Sequence, residues 1–400
     1  MSLLPLHKKP FRVQIVCDTG LEYFRNVILG VRQYGFQTGE MIIGDRWLSY
    51  AERNLPRLVR EDAIDGIIAQ VHDRRFEQRL MHLGIPCVNI SNAILRPRLP
   101  LVTQDDAAVG RAAAAHLIDR GCGAFAFWGQ SDTAYSRQRL EGFHAALRAC
   151  VGKAPFFKME SAPPESVGSP RLIRAMAAWL RTLPRPVGVF TVLDSYGLHL
   201  LRAARQLGIS VPEELAILGA GDDAFWVECE SIPLSSVQLP SRKIGFEAAR
   251  LLVDMLKKHE REGASPVCVR LPIGEISARP STDVLFTRDP AVQRAVAFIR
   301  AQGGRRVCVA EAVRASGVSR SALQARFRSV LGHTVLDEIH RARLIRVQKL
   351  LRTGEQKLTE IAQLCDFPDS ASLCVFFRKE TGQNPRRYRA QFRGMTPIGI

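Results

Sequence analysis

From Phe11 to about Val237, short apolar runs rich in β-branched residues alternate with longer stretches of helical periodicity. That alternation is the mark of parallel strands joined by crossover helices, and it constrains this chain more than any other feature. Candidate strands lie at 12–17, 65–71, 85–90, 124–128, 187–193 and 215–219, and helical stretches at 106–120, 137–150, 170–182 and 195–207. The expectation is a doubly wound α/β body. At 278–283 a proline followed by small polar residues interrupts the pattern, and after Asp289-Pro290 only helical periodicity remains. The expected organisation is a tail over 1–10, the α/β body over 11–280, a linker over 281–290 and an all-α domain over 291–395.

Charge separates the two parts further. The chain carries 56 Lys and Arg against 39 Asp and Glu, a net +17. From Leu285 onward there are 21 basic and 9 acidic residues, so +12 falls in the helical segment and only +5 in the first 284 residues. Nearly all of that excess is arginine, whose planar fork suits phosphates and base edges. A phosphate-bearing partner, double-stranded DNA, is therefore expected for the C-terminal part.

Within that part, 311–317 reads as a short helix closed by glycine, followed by a turn and a second helix starting at Ser319. This is helix-turn-helix punctuation. Leu323 and Phe327, four apart, must face the core, which turns Arg320, Ser321, Gln324 and Arg328 outward. Gln and Ser can bond base edges, and the two arginines can reach phosphates or a guanine. Leu323, Phe327, Arg328 and Gly332 recur fifty residues on as Leu373, Phe377, Arg378 and Gly382, each set after a helix-start residue, Ser319 or Asp369. One helical unit used twice is expected, with turns near Gly317, Gly332, Gly354, Pro368 and Gly382. On the second copy the outward face offers Ser370, Cys374 and Val375 before Arg378 and Lys379, which suits gripping more than reading. A charged face on any one helix also reads as a solvated surface; the +12 favours the DNA-binding alternative.

The set Ser319-Arg-Ser-x-Leu-x-x-x-Phe, Arg343-Leu, Ile361-Ala, Phe367 and Phe377-Arg-Lys-x-x-Gly-x-x-Pro385-x-x-Tyr388-Arg389 resembles the double helix-turn-helix domain of the AraC family. The resemblance implies that 336–351 is a long helix linking two reading helices. The sequence departs from the family at Asp366, where the second turn usually has glycine, and at Val375, where arginine is common.

In the α/β body the catalytic and cofactor templates fail: no Walker loop, no GxSxG elbow, no HExxH and no GxGxxG opening a helix. No enzyme activity, cofactor or metal is expected. The nine histidines are isolated from one another, and the nine cysteines are scattered without a CxxC pair and read as reduced thiols. No apolar run reaches a membrane span and no signal-peptide core follows the first lysines, so a cytoplasmic protein with no membrane contact is expected.

What recurs is a carboxylate just past a strand, where open parallel sheets bind ligands: Asp18, Asp105, Asp194, and Asp222 with Asp223. With Arg139 they suit a neutral polyol, since Asp and Arg form paired, charge-assisted bonds to adjacent hydroxyls. Each carboxylate taken singly reads equally as a helix N-cap. The run of Asp105-Asp-x-x-x-Gly, His116-Leu117, Phe125-x-Phe-x-Gly129, Arg137-x-Arg139-x-x-Gly142-Phe143, Asp194, Val211-Pro212, Ile217-Leu-Gly219 and Leu234-Ser-Ser-Val237 resembles the two-lobed sugar-sensing domain of LacI/GalR-type repressors, itself similar to a periplasmic binding protein. That resemblance implies Asp105, Arg139 and Asp194 as sugar contacts, with Asp18, Tyr23 and Gln238 lining the cleft. Gly221 stands where that family has an aspartate two residues after the strand glycine.

A LacI-like sensor joined to an AraC-type C-terminus resembles AraC-family regulators of pentose, xylose-like, uptake and catabolism. The resemblance implies a sugar effector, a homodimer and, for an activator, RNA polymerase as a partner. The alternatives are a repressor of the same build responding to another sugar, or a ligand-free or enzyme-derived α/β domain carried on a DNA-binding domain.

Overall fold

Two compact units, Met1–Val284 and Leu285–Ile400, divide the chain in the computed structural model. Residues 9–46, 48–49, 54–162, 169–228, 230–258, 267–284, 289–302, 307–331, 333–353 and 356–390 are described. The turn positions Gly332 and Gly354, most of the tail and 285–288 of the linker lie outside the described residues.

The first unit runs β1 (Phe11–Val16), α1 (Glu22–Thr38), β2 (Met41–Ile43), α2 (Leu55–Glu61), β3 (Gly66–Ala69), α3 (Arg74–Met81), β4 (Cys87–Asn89) and β5 (Leu101–Gln104). The chain then crosses into α4 (Asp106–Asp119), β6 (Phe125–Gln130), α5 (Ala134–Val151), β7 (Phe156–Ser161), α6 (Pro170–Leu180), β8 (Val187–Thr191), α7 (Asp194–Gln206), β9 (Leu215–Gly221), α8 (Ala224–Glu228) and β10 (Ser235–Gln238). It returns through α9 (Ser241–Lys258) and β11 (Cys268–Leu271), and crosses once more to β12 (Ile276–Ser277). Two six-stranded sheets result, ordered β11-β5-β4-β3-β1-β2 and β12-β10-β9-β8-β6-β7. Every pairing is parallel except β10 with β12. The two-lobed α/β architecture expected from the sequence is what the chain adopts. The short strands β2, β11 and β12 escaped the sequence pattern, because two to four residues carry too little periodicity to register.

Each lobe is clamped by a helix pair crossing at glycines. A Cβ on Gly30 would sit 1.9 Å from the Arg242 carbonyl, and one on Gly245 1.9 Å from that of Val27, between α1 and α9. Between α4 and α5, Gly110 and Gly142 play the same part, at 2.0 Å from the Arg139 carbonyl and 2.1 Å from that of Ala107. No side chain fits at these crossings, so the helix backbones touch. The α4/α5 crossing sets where α5 presents Arg139.

The second unit comprises α10 (Pro290–Ala301), α11 (Val309–Ser316), α12 (Arg320–Leu331), α13 (Val335–Thr353), α14 (Leu358–Leu364), α15 (Ser370–Thr381) and α16 (Pro385–Ala390). One core gathers α10, α11 and α12 around Leu323 and Phe327 with Val335 and Ile339. A second gathers Ile361, Ala362, Cys365, Leu373 and Phe377 with Val347 and Leu351. The 19-residue α13 thus contributes its first half to one core and its second half to the other. The turn between α11 and α12 holds Gly317 at φ 72°, and the matching turn before α15 holds Asp366 at φ 53°, a left-handed conformation that costs an aspartate more than a glycine.

Candidate functional site

Between the lobes, at the carboxyl ends of the strands of both sheets, lies a cavity of about 160 Å³. A cavity of roughly 150 Å³ is enough to hold one six-membered ring. Tyr23, Gln70, Gln104, Tyr135, Arg139, Asp194, Asp223 and Trp226 are among its lining residues.

Arg139 is buried and ties down both ends of its guanidinium. Its Nε donates to Asp106 Oδ1 at 2.8 Å and its Nη1 to the Val192 carbonyl at 2.5 Å. Asp106 also accepts from Gln104 Nε2 and Asn92 Nδ2, both at 2.8 Å, so its charge is neutralised and its lone pairs are used within the protein. The Tyr135 ring lies 5.4 Å from the guanidinium, and Tyr23 Oη donates to Gln104 Oε1 at 3.2 Å. Burial pushes both tyrosine hydroxyls up, which keeps them neutral donors.

Asp194, the first residue of α7, faces the cavity from the second lobe. Its carboxylate accepts from Ser236 Oγ at 2.6 Å and from the Asp223 N–H at 3.1 Å. Burial nevertheless pushes its pKa up to about 7, because two donors do not replace the water lost. Gly219 and Gly221 make room for it: a Cβ there would lie 2.2 Å and 2.8 Å from its oxygens. At the cleft mouth the lobes cap one another. The Glu22 N–H donates to Asp223 Oδ2 at 2.9 Å, and the Ala224 N–H to Glu22 Oε2 at 2.7 Å. Burial, and then the neighbouring Asp223, raise the pKa of Glu22.

Of the seven residues singled out for ligand binding, Tyr23, Arg139 and Asp194 come together on the cavity wall. The other four turn elsewhere. Asp105 is the N-cap of α4, accepting from the Ala108 N–H at 2.9 Å and pairing with Arg111 at 3.1 Å, while its neighbour Asp106 turns inward. Asp18 is exposed and closes a tight turn onto the Gly20 N–H. Gln238 bonds Ser277 where the chain crosses between lobes, its N–H donating to the Glu275 carbonyl. Asp222 points away from the cavity, accepting from Arg279 Nη1 and Ser277 Oγ, both at 2.6 Å. Arg279 precedes the short 3-10 turn Pro280–Thr282, whose Ser281 and Thr282 bond Ser235. Sequence inspection did not single out Gln70, Gln104, Tyr135 or Trp226. For Gln104 and Asp106 a signal existed, since side chains two apart at a strand end share a face and the intervening Asp105 takes the other.

On the helical unit, Arg320, Ser321 and Arg328 are exposed along α12 and Gln324 is half-buried, opposite the fully buried Leu323 and Phe327. On α15, Arg378 and Lys379 are exposed and Ser370 half-buried, while Val375 is 70% exposed at the centre of the outer face. Several other arginines are committed internally. Arg294 bonds the Ser316 carbonyl, Arg300 pairs with the buried Glu338, and Arg326 pairs with Asp289. Arg343 stacks 3.5 Å from the Phe367 ring centre while bonding the Cys365 and Asp366 carbonyls. The exposed cations of α12 and α15 are thus a selected part of the unit's positive charge.

Family models match in both units: a periplasmic binding protein-like domain over residues 114–282 and a helix-turn-helix domain over 312–391. The chain is 29% identical over 395 residues to the xylose operon regulatory protein of Escherichia coli K12, covering 95% of this chain and 97% of that one. It is 26% identical over 388 residues to the protein of the same name from Haemophilus influenzae, covering 95% and 98%. A solved structure described as the xylose-binding transcription activator xylR superposes with a TM-score of 0.65 at 28% identity, covering 96% of this chain and 99% of that one.

Proposed function

We propose that this chain is a xylose-responsive activator of transcription, because it joins a periplasmic-binding-protein-like sensor to a helix-turn-helix unit that resembles the double helix-turn-helix of the AraC family, in the manner of the xylose operon regulators it is similar to. The observation that carries this reading is the cavity flanked by Arg139 and the buried Asp194, one ring in size and lined by neutral tyrosine donors and amide side chains. Such a set bonds a sugar's hydroxyls in pairs and rejects analogues that leave a buried partner unpaired.

In this reading Arg139, Asp194 and Tyr23 contact the sugar, helped by Gln70 and Gln104, and Trp226 packs against its apolar face. Asp105, Asp18 and Gln238 shape the turns and crossings around the cleft, and Asp222 ties the cleft to Arg279. Sugar favours the closed arrangement that the Glu22 and Asp223 caps define, and it shifts the equilibrium by its differential affinity for closed over open. The Asp222–Arg279 pair carries that difference to Pro280 and the linker.

At the DNA end, Arg320, Ser321, Gln324 and Arg328 read one major groove, and Ser370, Arg378 and Lys379 hold the next mainly by its phosphates. A homodimer fits adjacent half-sites, RNA polymerase is the partner of an activator, and the cytoplasm is where both are met. Among the described residues, no helix is long and apolar enough to cross a membrane.

Titration calorimetry of the full chain against pentoses and hexoses, with footprinting upstream of neighbouring sugar transport and isomerase genes, tests the proposal. Heat with xylose and a xylose-dependent footprint are expected. Absence of heat with every sugar would favour a ligand-free scaffold, and turnover of a bound sugar an enzyme.

A further inference from the structure

The first unit carries a concentration of positive charge that the sugar cleft does not use. Between Arg74 and Arg98 the sequence holds five arginines, at 74, 75, 79, 96 and 98, and one carboxylate, Glu77. All five arginines are exposed, along with Gln78 on α3 and His82 just after it, whereas Glu77 is fully buried. The exposed acid beside it, Asp73, caps α3 on the Phe76 N–H and lies 3.0 Å from His72, and five arginines against Asp73 and Glu77 leave the patch net positive.

Its two segments, α3 and the stretch 95–99, are far apart in sequence and are fastened together. Glu77 accepts from Arg74 Nη1 at 2.7 Å, from the Arg98 N–H at 2.6 Å and from the Leu99 N–H at 3.2 Å. Arg74 Nη2 donates to the carbonyls of Leu95 and Arg96. A carboxylate at 0% exposure is thus spent on bringing two arginine-bearing segments side by side. Arg96 is held there at φ 54°, a left-handed backbone that an arginine adopts at some cost. Arg74 is neutralised by Glu77, and the exposed Arg75, Arg96 and Arg98 have no carboxylate beside them in this stretch other than Glu77, which leaves positive charge that an anionic partner would meet.

We propose that this face of the sensor unit, α3 with residues 95–99, is a second DNA contact that grips the phosphate backbone of the duplex flanking the operator. The inference rests on the DNA-binding role of α12 and α15. The same chain holds the duplex at those helices, so the flanking phosphates meet the sensor's arginines at an effective concentration that a linked site enjoys and a free one does not. Each arginine that neutralises a phosphate steepens the salt dependence of binding by about 0.9 in log–log slope.

The test compares the full chain with the triple variants Arg75→Ala/Arg79→Ala/Arg98→Ala and Arg75→Lys/Arg79→Lys/Arg98→Lys on two duplexes. One duplex spans the footprint of α12 and α15, and the other extends it by two helical turns on each side. For the parent, the slope of log affinity against log salt should steepen by about two to three on the longer duplex. The alanine variant should lose that increment with sugar binding unchanged, and the lysine variant should keep it, since a phosphate takes either cation. A parent slope independent of duplex length, or an alanine variant matching the parent on both duplexes, overturns the proposal. Either result with the short duplex still bound leaves the DNA-binding role of the helices standing, whereas failure to bind either duplex overturns both.

Discussion

Replacing Asp194 with asparagine asks whether the cleft retains a carboxylate against the interest of stability. Burial lifts this carboxyl from its ordinary 3.8 to about 7, while Ser236 Oγ and the Asp223 N–H pull it back only in part. A carboxyl whose folded pKa lies above its unfolded one favours the folded state below pH 3.8, and that contribution drains away as pH rises through 7. At about 1.4 kcal/mol for each pH unit between those values, the parent gives up roughly 4 kcal/mol by pH 8. Asparagine has no charge to bury, keeps an oxygen for Ser236, and loses one acceptor toward Asp223, about 1 kcal/mol. The variant should therefore be more stable than the parent by about 3 kcal/mol at pH 8, and its advantage should shrink by about 2 to 3 kcal/mol at pH 5. Urea unfolding followed by tryptophan fluorescence reads this directly, since Trp128 and Trp179 are buried against each other in the same lobe. At pH 8, where Asp194 is ionised, sugar affinity should fall at least tenfold, as a charge-assisted acceptor is lost. A stability difference that does not change between pH 5 and 8, or a variant weaker than the parent at pH 8, would refute the argument.

Asp222→Asn should leave sugar affinity within about threefold yet at least halve the effect of sugar on DNA binding, because it weakens the tie to Arg279; calorimetry beside anisotropy with and without sugar separates the two, and loss of sugar binding would return Asp222 to the cleft wall. Gln324→Ala should relax sequence preference, whereas Arg378→Ala should weaken every duplex alike and lower the salt slope by about one. Equal losses from both with the slope intact would contradict that division. Asp366→Gly should relieve the left-handed turn before α15, by about 0.5 kcal/mol, and raise the melting temperature of the helical unit by about 2 to 4 °C; a lower melting temperature would show that the Asp366 side chain contributes more than its backbone costs.

The architecture was legible because its longer strands are nearly all apolar: β6 and β8 are buried along almost their whole length, and such runs stand out against the helical periods between them. Helices α12 and α15 were legible for a similar reason, since Leu323 and Phe327 repeat as Leu373 and Phe377 and fix which face is inside. The cleft was harder. A carboxylate after a strand is equally suited to cap a helix and to meet a ligand, and Asp105 does the first while Asp106, one position on, secures Arg139. The choice between adjacent aspartates depends on the angle at which the chain leaves β5 and crosses to the other lobe. No local pattern encodes that angle. Gln238 and Asp222 are likewise bonded to Ser277, on a strand 39 and 55 residues further along the chain.

Gly221 illustrates how a sequence departure becomes intelligible only in three dimensions. Its φ of 138° and the 2.8 Å that would separate its Cβ from Asp194 Oδ2 leave no place for a side chain. Gly219, two residues earlier on β9, is constrained by the same carboxylate from the other side, at 2.2 Å. The space that an aspartate at 221 would need is thus filled by a carboxylate delivered from the end of β8. Two carboxylates so close in a buried site could not both stay ionised. Asp222, next along the chain, faces away from the cavity and holds Arg279, so one backbone turn at 221–222 borders the cavity on one side and on the other reaches the residue that precedes the 3-10 turn Pro280–Thr282.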